Sequence, residues 1–321
     1  MKKILREIAV LALSAIVLAS CNNNSRLTVG SVIYDSDNEW FIEALAGMRD
    51  AAKDLNINLN EADCRYDGVA EADLVRGHIR NKVSALVICP LTKEGTGAVL
   101  SETTKLGVPV ITWNTVVEPV PTAQVIVDST QLGSGTGEYL CEYVKAHNIE
   151  SLKAALIIDR SFSIGIERCD GFRASIQPLV SAGIMEVVAE ATANLYEETS
   201  VALRNILAEH EDVNFIWCWN QMTTTAAVDV LRTLDRSDIL VSGTDMSLAL
   251  AEDMLGDKVS LIAVTTQQPY KMGYDAVTSA ARAVNVVPAQ KTIIIPVITY
   301  TKDDVAPLRE YIDIHAMYVK K

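Results

Sequence analysis

The sequence is short of positive charge, of histidine and of paired cysteine. Lys and Arg number 28 against 41 Asp and Glu, for a formal net charge of -13. No five basic residues run together. Nucleic-acid binding draws on clustered cations that release counterions from phosphate, so DNA and RNA are excluded as partners. No C-x-x-C pair occurs, which removes a zinc ribbon and a thioredoxin-like redox motif. The histidines, His78, His147, His210 and His315, lie far apart in the chain, so neither a metal site nor a catalytic triad has a basis in the sequence. There is no Walker A loop and no G-x-S-x-G elbow. No cofactor, no metal and no enzymatic reaction is therefore expected. Aromatic residues make up only 6% of the chain, so the places where they gather carry information.

What is present is a globular composition, 49% apolar and 21% charged over 321 residues. Wholesale disorder is out, and the length suggests two domains. The chain opens with Lys2, Lys3 and Arg6, then runs through 11 mostly apolar residues, Ile8 to Leu18. A helix that spans a bilayer needs ~20, so this run fits a secretory h-region instead. Leu18-Ala19-Ser20-Cys21 resembles a bacterial lipobox. That resemblance implies lipidation of Cys21, export, and attachment to a membrane with the chain facing the periplasm or the cell exterior. Residues 1–20 are expected to be a lipoprotein signal peptide and 21–26 a polar tether. Without residues 1–20 the chain keeps 25 cations against 40 anions, so anchoring would rest on acyl chains rather than on anionic headgroups. Five cysteines remain beyond Cys21, and an odd number leaves at least one unpaired. Cys89 and Cys218 sit in apolar runs and read as small buried hydrophobes. The pairing of Cys64 stays open.

Strands and helices then alternate. Leu27–Tyr34, Ile57–Leu59, Ala85–Cys89, Val108–Trp113 and Ala123–Val127 read as strands, followed by Ala154–Ile158, Met185–Ala189, Phe215–Trp219, Ile239–Ser242 and Leu261–Thr265. Helical stripes lie between them, such as Phe41, Leu45, Met48, Ala52 and Leu55 at intervals of four and three. Gln268–Val284 is the last long helix and Ile293–Thr299 a final strand. Short apolar strands alternating with amphipathic helices mean parallel sheets covered on both faces. More than ten such steps exceed one comfortable open sheet. The fold class is α/β, with two doubly wound parallel-sheet lobes. No linker rich in Gly, Ser or Pro separates them, so several short crossovers are expected to form the hinge.

Gly133-Ser-Gly135-Thr-Gly137 opens a helix and invites a dinucleotide reading, but its spacing is G-x-G-x-G rather than G-x-G-x-x-G. Glycines that let two helices pack closely are the expected reading. More informative are the residues just past each strand, because doubly wound sheets bind ligands at their carboxyl ends. Asp35, Asp37, Asn38, Trp40 and Phe41 come after the first strand. Asn114 and Thr115 come after Trp113. Asn220 and Gln221 succeed Trp219, Thr244 and Asp245 lie just beyond Ser242, and Thr266, Gln267 and Gln268 lie just beyond Thr265. All four tryptophans, Trp40, Trp113, Trp217 and Trp219, belong to these stretches. A pyranose offers apolar faces that stack on flat aromatics and hydroxyls that both donate and accept. Asn and Gln match both roles, Asp accepts, and Arg donates in a fixed fork. The competing reading is that Trp113 and Trp217 fill cores and the polar residues cap helices.

These motifs together resemble the type I periplasmic substrate-binding proteins of the ribose/galactose class, the receptors of ABC importers. The resemblance covers residues from about 27 to 300. It rests on Asn38-Glu39-Trp40-Phe41, Gly107 to Asn114, Val127-Asp128, Glu167 to Phe172, Trp219-Asn220, Gly243-Thr244-Asp245 and Gln267-Gln268-Pro269. It implies that residues 27–127 with 268–296 form the N-terminal lobe, and 128–267 with 297–321 the C-terminal lobe. It implies that Trp40 and Phe41 sandwich a sugar ring with Asn38 on a hydroxyl, that Arg168 reaches in from the second lobe, and that Asn220 and Asp245 bind hydroxyls there. Gln267 would contact the ligand near the hinge, and Asn194 or Tyr196 falls where ribose binders place another stacking aromatic. Trp113 and Asn114 complete the candidate set. Ribose binders carry an acid followed by Arg where this chain has Asn114-Thr115, which removes a bidentate grip on vicinal hydroxyls. Thr112-Trp113 is closer to the rhamnose and autoinducer-2 branch.

The expected function is capture of a monosaccharide or related polyol between the lobes and its delivery to an ABC permease, by a monomer. The alternatives are a sugar-sensing lipoprotein that signals to a membrane sensor kinase or chemoreceptor, and a binder of an autoinducer-2-like ligand. The tail Val305–Lys321 has no assigned role.

Overall fold

The structure is a computed structural model and describes residues 26–161, 163–287 and 290–319. The expected signal peptide at 1–20, Cys21 and nearly all of the tether lie outside the described residues. The first lobe begins with β1 (Thr28–Ile33), α1 (Glu39–Asp54), β2 (Asn58–Asp63), α2 (Gly68–Arg80), β3 (Ala85–Ile88), α3 (Lys93–Lys105), β4 (Val110–Trp113) and β5 (Ala123–Ile126). The chain crosses into α4 (Ser129–Ala146), β6 (Leu152–Ile158), α5 (Ser163–Ser181), β7 (Met185–Thr192), α6 (Tyr196–Glu209), β8 (Phe215–Cys218), α7 (Gln221–Leu234), β9 (Leu240–Thr244), α8 (Leu248–Leu255) and β10 (Ser260–Thr266). It returns through α9 (Pro269–Val284) and β11 (Thr292–Ile294), then crosses again into β12 (Ile298–Thr301) and α10 (Val305–Val319).

Local chemistry sets these elements. β3, β4 and β8 are buried at every residue, as parallel strands with helices on both faces must be. Asn38, Asp67, Asp128, Asn220 and Ser247 each accept a backbone N–H in the first turn of the helix they precede. Such caps stabilise a helix start by about 1 kcal/mol. α9 instead begins with Pro269, whose missing N–H costs nothing at that position.

Both sheets are doubly wound. The first has order β11-β5-β4-β3-β1-β2 and is parallel throughout. The second has order β12-β10-β9-β8-β6-β7, with β12 alone antiparallel. In each, the strand order reverses beside the lobe's first strand, β1 or β6, and such switch points open crevices at the carboxyl ends. Met48, Met272 and Ala276 fill the core under α1 and α9, while Val75, Leu86 and Val99 fill the opposite face. In the second lobe Leu140, Phe172 and Trp217 pack under α4 and α5, and Leu203, Val228, Leu250 and Leu308 pack on the other side.

One sequence expectation changes. Ile293–Thr299 is not one strand. It breaks around Pro296 into β11, parallel to β5, and β12, antiparallel to β10 in the other sheet. Proline cannot donate to a ladder, and here Gln268 Nε2 donates to the Pro296 carbonyl at 2.7 Å instead. The tail forms α10, whose Leu308 and Tyr311 belong to the second lobe's core. Farther along α10, His315 Nε2 lies 2.7 Å from Glu43 Oε2 on α1, and the Tyr318 ring stacks on Tyr270 of α9 at 5.8 Å. The glycine run behaves as close packing requires. A Cβ on Gly133 would sit 1.8 Å from the Arg168 carbonyl oxygen, and one on Gly137 would sit 1.9 Å from Ser175 Oγ, so these residues let α4 lie against α5.

Candidate functional site

The carboxyl ends of both sheets face one cavity of about 240 Å³. Tyr34, Asn38, Trp40, Phe41, Tyr66 and Asn114 line it from the first lobe. Ile164, Arg168, Trp219, Asn220, Gln221, Met222 and Asp245 line it from the second, and Gln267 from the crossover between β10 and α9.

The first-lobe wall is a continuous aromatic sheet. Trp40 stacks on Trp113 at 5.4 Å and 10°. Phe41 stands edge-on to Trp40 at 5.0 Å and to Tyr34 at 4.7 Å. Tyr66 leans over Tyr34 at 5.1 Å. Each such pair adds about 0.5–1.5 kcal/mol beyond the area it buries, which holds the rings against one another. Trp113, a candidate from the sequence, does not reach the cavity. It is fully buried and backs Trp40 from behind, because as the last residue of β4 its side chain points into the core under α1.

The opposite wall centres on an ion pair. Arg168 Nη1 donates to Asp245 Oδ2 at 2.6 Å, to the Trp219 carbonyl at 3.1 Å and to Thr244 Oγ1 at 3.3 Å. Its guanidinium also lies 5.8 Å from the Trp219 ring centre, within cation–π range. The Arg168 side chain is 5% exposed and that of Asp245 13%. A buried pair of this kind is often no more stable than apolar residues of the same size, so stability alone does not account for it. The charges cancel within the cavity, which suits a neutral, hydroxylated ligand. Asp245 (φ 65°) and Asn114 (φ 63°) both adopt the left-handed backbone region at strand ends, which Asp and Asn tolerate.

The capping and binding readings of the asparagines coexist. Asn38 Oδ1 accepts from Trp40 N at 2.9 Å, which leaves its amide nitrogen uncommitted. Asn220 is more fully engaged. Its Oδ1 accepts from Thr223 N at 2.8 Å, and its Nδ2 donates to the Asn194 carbonyl and to Asn194 Oδ1 at 3.2 and 2.9 Å. Asn194 thus lies one layer behind the cavity and holds Asn220. Tyr196 points away and donates to Asp229 Oδ2 at 2.9 Å. Gln267 Nε2 donates to Asp245 Oδ1 at 3.3 Å. Three buried polar atoms of the lining have no hydrogen-bond partner: Trp40 Nε1, Arg168 Nε and Gln267 Oε1. They come from the first lobe, the second lobe and the crossover, and they offer two donors and one acceptor.

The sequence reading named Gln221 among the strand-end residues but missed Tyr34, Tyr66, Ile164 and Met222 in the lining. Tyr34 was findable, because it stands at the end of the first strand. Tyr66 was not, because β2 is a polar edge strand, NLNEAD, with no apolar run to mark its end at Asp63. Burial, aided by the Asp35 carboxylate that accepts its hydroxyl at 3.0 Å, pushes the Tyr66 phenol up to about 12. Burial likewise raises the Tyr34 phenol well above its ordinary value, so both are hydroxyl donors at neutral pH. Cys64 and Cys89 lie beside this wall as free thiols, pushed by burial up to about 11 and about 12. Among the described residues, no cluster of His, Cys, Asp or Glu could hold a metal ion, and no helix is long and apolar enough to cross a membrane.

Comparison with known proteins adds to this geometry. The family model described as "Periplasmic binding protein domain" matches residues 29–286. The ribose import binding protein RbsB of Escherichia coli (strain K12) is 25% identical over 286 residues, covering 87% of this chain and 92% of RbsB. The ABC transporter periplasmic-binding protein YphF of the same strain is 24% identical over 287 residues, covering 87% and 86%. An ABC transporter periplasmic solute binding protein from Actinobacillus succinogenes 130z, solved with bound D-allose, superposes with a TM-score of 0.78 at 20% identity, covering 88% of this chain and 100% of that one. The binding-protein component of the arabinose ABC transporter from Shewanella sp. ANA-3, bound to L-arabinofuranose, has a TM-score of 0.78 at 20% identity, covering 91% and 98%.

Proposed function

The chain belongs to the periplasmic binding protein family, among the type I sugar-binding proteins of the ribose/galactose type, and we propose that it is a lipid-anchored receptor that captures a monosaccharide or related polyol between its lobes and delivers it to an ABC importer. The family is one of binding proteins rather than enzymes. The observation that carries the reading is one cavity with an aromatic wall of Trp40 and Phe41 on the first lobe and, facing it, the donors and acceptors of Arg168, Asn220, Asp245 and Gln267. A hydroxylated ring offers these polar residues partners while its C–H face lies on Trp40 and Phe41.

Binding of this kind drives closure. The ligand touches both lobes only when they approach, so it binds the closed form more tightly and shifts the population toward it. Closure expels water, which strengthens the contacts to Arg168, Asp245 and Gln267. The departure at Asn114-Thr115 and the internal neutralisation of Arg168 by Asp245 favour neutral sugars over sugar acids and phosphates. Lipidation of Cys21 follows from the lipobox-like Leu18-Ala19-Ser20-Cys21, and delivery to a permease from the importer-linked relatives.

The test is thermal unfolding of the chain from Asn22 onward against monosaccharides, polyols and autoinducer-2-like compounds. A ligand at about 100-fold over its Kd adds ~2.7 kcal/mol to the folded state, a rise in Tm of a few degrees for lobes of this size. A hit abolished by Asp245→Ala supports the reading, and silence across the panel overturns it. Lipidation is tested by incorporation of labelled palmitate into the full chain, which Cys21→Ala must abolish.

A further inference from the structure

The loop after β2 is held in an unusual conformation. Arg65 and Tyr66 both lie in the left-handed region, at φ 49° and 60°. Neither is the Gly, Asn or Asp that tolerates it, and two such residues in succession persist only where the surroundings over-determine them. Asp63 supplies that constraint. Its Oδ1 accepts from Arg65 N at 2.8 Å, and its Oδ2 accepts from Ser36 N at 2.9 Å and from Ser36 Oγ at 2.7 Å. One carboxylate thus ties the β2–α2 loop to the β1–α1 loop, and both loops reach the cavity. The Tyr66 hydroxyl donates to Asp35 Oδ2 at 3.0 Å, which fixes the ring over Tyr34.

The tie has a consequence at the mouth of the cavity. Tyr66 lines it yet is 60% exposed. Across the cavity Ile164 and Met222 of the second lobe are 43% and 45% exposed. Three large apolar side chains therefore stand at the rim, on both lips. Closure brings these lips together, and they cover carbon against carbon only if nothing bulky projects between them.

We propose that Tyr66 is a specificity-determining residue that limits the cavity to a single sugar ring and rejects glycosides extended at the outward end. The inference rests on the sugar-binding reading above. It assigns size selection to the strained β2–α2 loop rather than to the polar residues at the cavity floor. The phenol ring does the excluding, and its hydroxyl serves to aim it.

The experiment compares the unaltered chain with Tyr66→Ala, Tyr66→Phe and Asp63→Asn. Calorimetric Kd values are measured for each monosaccharide that binds, its methyl glycoside and disaccharides that carry it. Tyr66→Ala should lower the disaccharide-to-monosaccharide Kd ratio about tenfold or more, in the range that steric and apolar contacts can discriminate. Asp63→Asn, which releases the loop, and Tyr66→Phe, which keeps the ring and loses the bond to Asp35 that aims it, should both move the ratio the same way by less. An unchanged ratio in Tyr66→Ala, with monosaccharide binding intact, overturns the assignment and leaves the sugar reading standing. If the unaltered chain binds no sugar, the sugar reading falls and the size filter falls with it.

Discussion

Replacement of Arg168 by methionine keeps the length of the side chain and removes its charge. Its partner Asp245 would be left 13% exposed with no cation beside it. Two of the three acceptors that Arg168 Nη1 serves lose little. The Thr244 hydroxyl already donates to the Trp219 carbonyl at 2.5 Å, so neither group is stranded. The cost therefore falls on Asp245, which keeps only its 3.3 Å contact from Gln267 and its backbone bond. Removal of one partner from a buried pair costs about 3–5 kcal/mol, and the Gln267 contact argues for the lower end. At about 2–4 °C per kcal/mol for lobes of this size, a loss of about 3 kcal/mol should lower Tm by roughly 6–12 °C. Asp245→Leu in the same background removes the stranded charge, so the double variant should recover most of the loss while binding no ligand. Urea unfolding followed by circular dichroism measures all four proteins, with equal slopes required for the comparison. A loss under about 1 kcal/mol in Arg168→Met would mean that the pair behaves like a solvent-screened surface bridge. A double variant that loses the sum of the two singles would mean that the residues are not coupled. Either result refutes the buried-pair account of the second-lobe wall.

Other consequences are as direct. Gly133→Ala places a Cβ against the Arg168 carbonyl, where no flexible atom can yield, and should cost about 1–3 kcal/mol and weaken ligand binding together. Gly97→Ala, a helical site with nothing within 4 Å, should instead gain about 0.5–1 kcal/mol in the same unfolding assay. Trp113→Ala should cost about 3–5 kcal/mol of stability, as a buried aromatic in the core does, whereas Trp40→Ala should lower ligand affinity more than stability, as read by calorimetry beside thermal unfolding. Burial opposes ionisation of Asp63, but hydrogen bonds from the Ser36 hydroxyl, the Ser36 N–H and the Arg65 N–H outweigh it and hold the carboxyl below its ordinary range. Its stabilising effect is therefore complete above the unfolded value of about 3.9 and disappears as pH falls through the lower folded value. The stability gap between the unaltered chain and Asp63→Asn should be flat above pH ~5 and close below pH ~4.

The architecture was legible because apolar strands and amphipathic helices alternate without interruption, and parallel sheets write both features strongly. The cavity lining was legible where it follows the ends of such strands, at Asn38, Trp40, Phe41, Asn114, Asn220, Asp245 and Gln267, whereas Arg168, inside α5, came only from the family resemblance. Trp113 and Asn194 stand behind the cavity lining. A strand-end aromatic looks the same in sequence whether it faces a cavity or a core, and an amide one layer out carries the same signature as one that lines the cavity. Tyr66 was hidden behind a polar edge strand. The switch from β11 to β12 was hidden inside an apolar run whose two halves serve different sheets, and only Pro296 marked the break.

That late switch bears on how the chain folds. The first sheet is not closed by β5, because β11 covers that edge only after five of the six strands of the second sheet have been written, and the helix α9 that packs on α1 arrives just before it. Contacts of such long sequence separation form slowly. A chain emerging from its N-terminus would hold β5 as an open edge, with Ala44 and Met48 bare, until the last sixth of the sequence appears. A fragment that stops before Pro269 should therefore aggregate rather than yield a free first lobe, since unpaired strand edges and uncovered apolar faces are what drive such association.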